Sequence, residues 1–406
     1  MRKVAKDVDN HQKEGEGLCH LAYVHWMKLR EDQMPFVEQY AQEALELSRQ
    51  TGNRNILAKS LTNLGLLHQT RGNLHEANRY MEESLQISRH ERYTDSLAQN
   101  LLWLNTQAYW QGRFHRAVQL GQESVALARD VYDGFSELFN LAFFCLEYGS
   151  LGEYAQAFRI VQEGITKAKA RDNIFFLGRL INSQGWLLSS LGDISQAMTC
   201  DQESVEIGRV YHISNVEISA LINIGLDYLA LNQHDDALFF LKPTLERVER
   251  EALGSHRWRW KIRLLTGLAA LFTTTGDYTQ ALRYVEEGLK EAQATSSQKY
   301  IALGWALRGK IATQLGDTNT AGTELQRALT LADQLQSPSL IYPIAYGFGQ
   351  WHERSGNERE AATLYGKSKA TIDQMAASVG DEALRTTFLQ SALVQEIHER
   401  ATRLGG

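Results

Sequence analysis

Proline is scarce in this chain, with 4 in 406 residues, so little interrupts long helices. Cysteine is scarcer still. Cys19, Cys145 and Cys200 stand alone, with no CxxC pair, which argues against a disulfide framework or a cysteine-built zinc site and points to a reducing compartment. No run of 18 apolar residues exists, and the opening MRKVAKDVDNHQKEGEG has no apolar signal-peptide core, so no membrane association and a cytoplasmic location are expected. Basic runs are also missing and the net charge is -6, which offers nucleic acid no general attraction. His75, His352 and His398 each precede a glutamate, yet none completes HExxH, and no GxSxG occurs. Neither catalysis nor a cofactor is expected.

What the chain has is repetition. Ser60 to Arg89 reads SLTNLGLLHQTRGNLHEANRYMEESLQISR. Anchored on Gly72 and Ala77, steps of 40 residues reach Gly112 with Ala117, Gly152 with Ala157, Gly192 with Ala197, and Asn232 with Ala237. One step of 44 then reaches Gly276 with Ala281, and two more of 40 give Gly316 with Ala321 and Gly356 with Ala361. Stepping back gives Asp32 with Val37, a degenerate first copy. Nine copies follow, with one four-residue insertion near LGSHRWRWK that lengthens a loop or extends a helix.

Each copy predicts a helical hairpin. Leu61, Leu64 and Leu67 line one stripe of a first helix, with Gly65 as a notch. Gly72 and Asn73 break it where left-handed backbone is wanted. Leu74, Ala77, Met81, Ser84, Leu85 and Ile87 line the second helix. Small residues on facing stripes let the two backbones approach, and the notch recurs as Gly185, Gly225, Gly309 and Gly349.

LTNLGLLHQTRGNLHEANRYMEESL, LINSQGWLLSSLGDISQAMTCDQESV and LINIGLDYLALNQHDDALFFLKPTL resemble tetratricopeptide repeats. The spacing of 40 is similar to that family's long-helix branch, seen in kinesin light chains, Rap-type peptide-responsive regulators and the sensor ends of bacterial signalling ATPases. The resemblance implies an all-α fold, a right-handed α-solenoid of about nine hairpins, each touching only its neighbours. The carboxyl end, ATLYGKSKATIDQMAASVGDEALRTTFLQSALVQEI, also resembles that of STAND-type signalling ATPases and cyclase-linked regulators. That implies the sensor part of a bacterial signalling system, with an ATPase or effector module upstream or separate.

In order, residues 1–17 are expected to be a lead-in, 18–379 the nine-copy solenoid, and 380–406 a capping helix with Leu384, Phe388, Leu389, Leu393, Val394 and Ile397 on one stripe. Two strings imitate a phosphate-binding loop, GWALRGKI from Gly304 and AATLYGKS from Ala361. Both are expected inside helices, where the backbone N–H groups are already used.

The working surface is then the concave face of the first helices. Counting 18, 15, 11 and 8 residues before each anchor alanine picks out Lys59, Thr62, Gln69, Gln99, Thr106, Tyr109, Phe139, Arg179, Asn182, Trp186, Arg263, Thr266, Lys310, Tyr346 and Gln350. Amides and guanidinium groups there suit the backbone and carboxylates of a peptide or protein segment, with apolar pockets to choose side chains. Asn63, Asn182 and Asn223 resemble the asparagines with which related repeats hold peptide backbone. Two other readings stay open: a small-molecule sensor with its pocket in copies three to six, around Phe139, Trp186 and Ile222, and a static adaptor. On a helix Trp258 and Trp260 lie about 200° apart, so at least one is expected to be buried.

Overall fold

The computed structural model describes residues 11–28, 30–130, 133–250 and 256–405. Among them are twenty α-helices and no strand. The nine hairpins are α1 (His11–Met27) with α2 (Met34–Thr51), α3 (Arg54–Thr70) with α4 (Leu74–Glu91), and α5 (Thr94–Trp110) with α6 (Phe114–Asp130). Next come α7 (Gly134–Ser150) with α8 (Tyr154–Ala170), α9 (Ile174–Ser190) with α10 (Ile194–Val210), and α11 (Ser214–Ala230) with α12 (His234–Arg250). The series ends with α13 (Arg257–Thr275) and α14 (Tyr278–Ala294), α15 (Gln298–Leu315) and α16 (Thr318–Gln334), and α17 (Pro338–Arg354) and α18 (Glu358–Ser378). Two shorter helices, α19 (Glu382–Gln390) and α20 (Ala392–Gly405), close the stack. The architecture is a right-handed α-solenoid.

The hairpin geometry follows from the small residues. Every anchor alanine from Ala77 to Ala361 is fully buried. The notch glycine faces the residue 16 positions later: a Cβ on Gly65 would meet Met81 at 2.6 Å, on Gly225 Leu241 at 2.7 Å, and on Gly309 Leu325 at 2.6 Å. No larger side chain fits without parting the helices. In the fifth copy the residue filling the notch is a carboxylate, Asp201, 2.8 Å from where a Gly185 Cβ would stand. The turn positions are left-handed as the spacing requires, at Gly72 (φ 81°), Gly112, Gly152, Gly192, Gly276, Gly316 and Gly356, with Asn232 (φ 58°) substituting in copy six. A second left-handed ladder, unsuspected from composition, marks the passage to the next copy at Gly52, Arg92, Asp172, His212, Ser296 and Gln336. Most of its members are not glycine, so the sequence carries no signal for it.

Two boundaries differ from expectation. Residues 11–17 belong to α1, not to a lead-in. The end is two helices, since Ser391 is extended (φ -63°, ψ 142°) and its carbonyl caps the second. The four-residue insertion falls between Arg250 and α13, which begins at Arg257, 24 residues before its anchor alanine where Ile174 and Ser214 begin their helices 23 before theirs. Most of that connection, 251–255, lies outside the described residues. Trp258 and Trp260 are both buried. Both phosphate-loop imitations lie within helices, in α15 and α18.

Copies do not touch only their sequence neighbours. The superhelix completes a turn, and its later copies rest on its earlier ones. Trp258 donates its indole N–H to the Gln69 carbonyl at 3.2 Å and packs on Gly72. Leu335 packs on Gly112 and Pro338 on Gly152. Ser337 donates to the Ser150 carbonyl at 2.8 Å, and Ser378 to that of Gly152. Each turn glycine of copies two to four thus gives the later coil a flat seat, a second reason for glycine there besides its positive φ.

Candidate functional site

Closure of the coil converts part of the concave groove into a chamber. It has a volume of about 130 Å³ and draws its wall from copies three to eight. From the first coil come Tyr109 and Trp110 on α5 and Arg179, Asn182 and Trp186 on α9. Asn215, Ser219 and Asn223 come from α11. The later coil contributes Trp258, Arg259 and Arg263 on α13, with Lys299 and Tyr300 on α15.

Four cations face this space. Among the described residues, none of Arg179, Arg259, Arg263 and Lys299 has a carboxylate oxygen within 4.0 Å. Three of them rest instead on ring faces. Arg259 lies 4.7 Å from the Trp110 ring centre, Lys299 5.4 Å from that of Trp186, and Arg179 5.3 Å from that of Phe143. Such contacts partly replace lost water but cancel no charge. Burial pushes Arg179 down to about 10. Burial, then the charges of Arg179 and Arg263, pushes Arg259 to about 9, and burial with Arg263 brings Lys299 to about 8. These three remain largely protonated at neutral pH, so the wall is strongly positive.

Behind the wall runs a polar chain. Arg263 donates to Asn223 Oδ1 at 2.5 Å. Asn223 and Asn182 both donate to Asp201 Oδ1, at 3.1 Å and 2.6 Å. Ser189 donates to Asp227 Oδ1 at 2.5 Å. Burial, then the nearby Asp227, raises the Asp201 carboxyl well above the usual range, and burial lifts Asp227 to about 6. The side-chain amides of Asn182 and Asn223 therefore spend a donor on Asp201, and Asn63 donates to the Cys19 carbonyl. These asparagines serve the protein's own packing, against the expectation of a peptide-holding ladder.

The fifteen residues expected on the inner face separate into four groups. Tyr109, Arg179, Asn182, Trp186 and Arg263 meet at the chamber. Lys310, Tyr346 and Gln350 line a second, mostly apolar cavity of about 320 Å³, shared with Trp351 and Leu393. Thr62, Gln69, Thr106 and Phe139 are buried inside the wall. Thr62 bonds Asn100 and Ser84, Gln69 the Trp103 carbonyl, Thr106 its own helix, and Phe139 packs on Trp103 and Phe143. Lys59, Gln99 and Thr266 are half-buried and line neither cavity. Ile222, expected to thicken an apolar lining, is fully buried in the core.

Counting missed Arg259, Lys299 and Asn215. Each lies 22 residues before its anchor alanine (Ala281, Ala321 and Ala237). One more helical turn toward the amino end of the inward stripe would have reached all three.

Comparison with known proteins follows the fold. Residues 9–90 match the tetratricopeptide repeat family, and residues 221–308 match anaphase-promoting complex subunit 5. No curated protein matches in sequence. Among solved structures, a Rap protein complexed with Competence and Sporulation Factor superposes with a TM-score of 0.66 at 13% identity, covering 90% of this chain and 100% of that one. Aspartyl phosphate phosphatase F from Bacillus subtilis gives 0.50 at 13% identity, over 87% and 93% of the two chains. The Cut9–Hcn1 heterotetramer of the APC/C gives 0.50 at 14%, over 99% and 88%. The chain is similar to tetratricopeptide-repeat proteins in sequence over its first copies and in fold throughout.

Proposed function

We propose that this chain is a non-catalytic binding module that captures an acidic peptide or protein segment in its concave groove, with Arg179 and Arg263 holding the segment's carboxylates. The observation that carries this reading is the convergence of Tyr109, Arg179, Asn182, Trp186 and Arg263, from three separate copies, on one enclosed space. Guanidinium groups bind carboxylates in a two-pronged fashion, and the tryptophan and tyrosine supply rigid apolar surface. The Rap structure, solved with Competence and Sporulation Factor, supports it by fold. Because the chamber wall spans both coils, an occupant that grips both biases the superhelix toward closure, and that change is the signal passed to an effector. The resemblance of the carboxyl end to STAND-type regulators supports an ATPase as that effector, in a bacterial cytoplasmic signalling system.

The lining favours a second reading, a small-molecule sensor, since aromatic faces with a few convergent polar groups are what compact-ligand pockets present. Fluorescence anisotropy with labelled acidic peptides, at two salt concentrations, separates the two. The segment reading expects salt-sensitive binding that Arg179→Ala with Arg263→Ala abolishes. It fails if no peptide binds, or if the double variant binds as well as the parent.

A further inference from the structure

Charge on α13 alternates in its fate. Arg257 and Lys261, one turn apart, point outward and meet carboxylates: Arg257 pairs with Glu31 at 3.5 Å, and Lys261 with Glu287 at 2.8 Å, Glu291 at 3.0 Å and Glu249 at 3.6 Å. Arg259 and Arg263, on the opposite side of the same helix, point into the chamber and meet none among the described residues. The protein therefore has glutamates to give, and withholds them here. Arg259 adds a second sign of a missing partner, because its Nε is buried and without a hydrogen-bond acceptor, a costly state for a charged donor.

We propose, on the reading that the groove is the binding surface, that the chamber is a receptor for a phosphoryl group carried by the occupant, seated among Arg179, Arg259, Arg263 and Lys299. One carboxylate would answer one of the four charges, whereas a phosphate monoester brings about -1.5 to -2 and three acceptor oxygens. Guanidinium forks match those oxygens in pairs. Tyr109 and Tyr300, which also line the space, have hydroxyls that burial holds in the protonated, donating form. Of the carboxylates in the chain behind the wall, Asp201 is already engaged by Asn182 and Asn223, and Asp227 by Ser189. In an enclosed space of low polarity the attraction is strengthened. The phosphoryl group would also tie the coils together, since Arg179 belongs to the earlier coil and Arg259, Arg263 and Lys299 to the later one.

The test is calorimetric titration of the full chain with inorganic pyrophosphate at low ionic strength, with thermal denaturation alongside. Saturable binding and a raised Tm are expected, with sodium chloride at matched ionic strength giving neither. Arg259→Gln with Lys299→Met should weaken binding by at least about 30-fold, as two charged contacts would. The charge-conserving pair Arg259→Lys with Lys299→Arg should restore most of it, which separates lost charge from lost folding. Absence of saturable binding, or equal affinity in the neutral variant, overturns the proposal. Displacement of pyrophosphate by a phosphoserine peptide identifies a modified segment as the source, and displacement by a sugar phosphate alone identifies a small ligand. Acidic peptides that bind while pyrophosphate does not would overturn the phosphoryl site and leave the groove reading standing. Pyrophosphate bound with no peptide competing would do the reverse.

Discussion

Glu137 and the chamber are two answers to the same crowding of positive charge. On the outer surface, where α8 meets α7, Lys167, Arg171 and Arg129 converge on the buried Glu137, at 2.5, 2.8 and 3.2 Å. Burial alone would raise its pKa, but hydrogen bonds from those three cations bring it to about 2. Copy six repeats the device, with Arg209 and Arg247 on Glu217 at 3.1 and 2.9 Å. In the chamber four cations meet with no anion supplied among the described residues. A balanced cluster is mortar between repeats, while an unbalanced one spends stability on readiness for a ligand.

The largest effect expected on this contrast comes from Trp258→Ala. It removes a buried ring that seats the later coil on Gly72, and should cost about 3–5 kcal/mol in thermal or urea unfolding. X-ray scattering should show a wider molecule, and pyrophosphate binding should fall, whereas the Glu137 cluster, built within one coil, should be untouched.

Asp227→Asn comes next. Asp227 is the mirror of Glu137, a buried carboxylate with a hydroxyl partner and no cation, held at about 6. Its charge costs stability in full above pH 6, and the cost fades as pH falls from there toward 4. The amide should stabilise the chain by about 2 kcal/mol at pH 8 and by nothing below pH 4, read from melting curves across that range.

Glu137→Gln should do the opposite. The carboxylate's contribution is complete above the usual value of 4.5 and is lost as pH falls toward 2. Substitution should cost about 1–2 kcal/mol at pH 7, allowing for the solvent exposure of its partners, and the difference should shrink on acidification.

The smallest change is the most diagnostic. Lys299→Met removes an uncompensated charge and should raise the Tm of the free chain, by about 1 kcal/mol of stability once screening within the chamber is allowed for. The gain should be greatest below pH 8 and gone above about 10.5, the unfolded value. Lys167→Met, in the balanced cluster, should lower the Tm under the same conditions.

Much of this was readable before any coordinates. The notch at Gly65, the anchor at Ala77 and the left-handed Gly72 prescribe one hairpin, and their recurrence prescribes nine. Five of the chamber's residues fell out of a helical count along the first helices. Others on that count were displaced by packing: Phe139 is drawn between Trp103 and Phe143, and Thr62 is taken by Asn100. A period of 3.6 states which stripe a residue occupies, not whether the next copy covers it.

The amino-acid order by itself determined the repeating unit, since helix, turn and notch are settled by neighbours within about 20 residues. Tertiary structure alone decided where the coil meets itself. That contact sets Trp258 on copy two, Arg259 on Trp110 and Lys299 on Trp186, bringing together residues more than 100 positions apart. The small rotation from each hairpin to the next accumulates over five copies before the coils touch, and no local spacing records that sum.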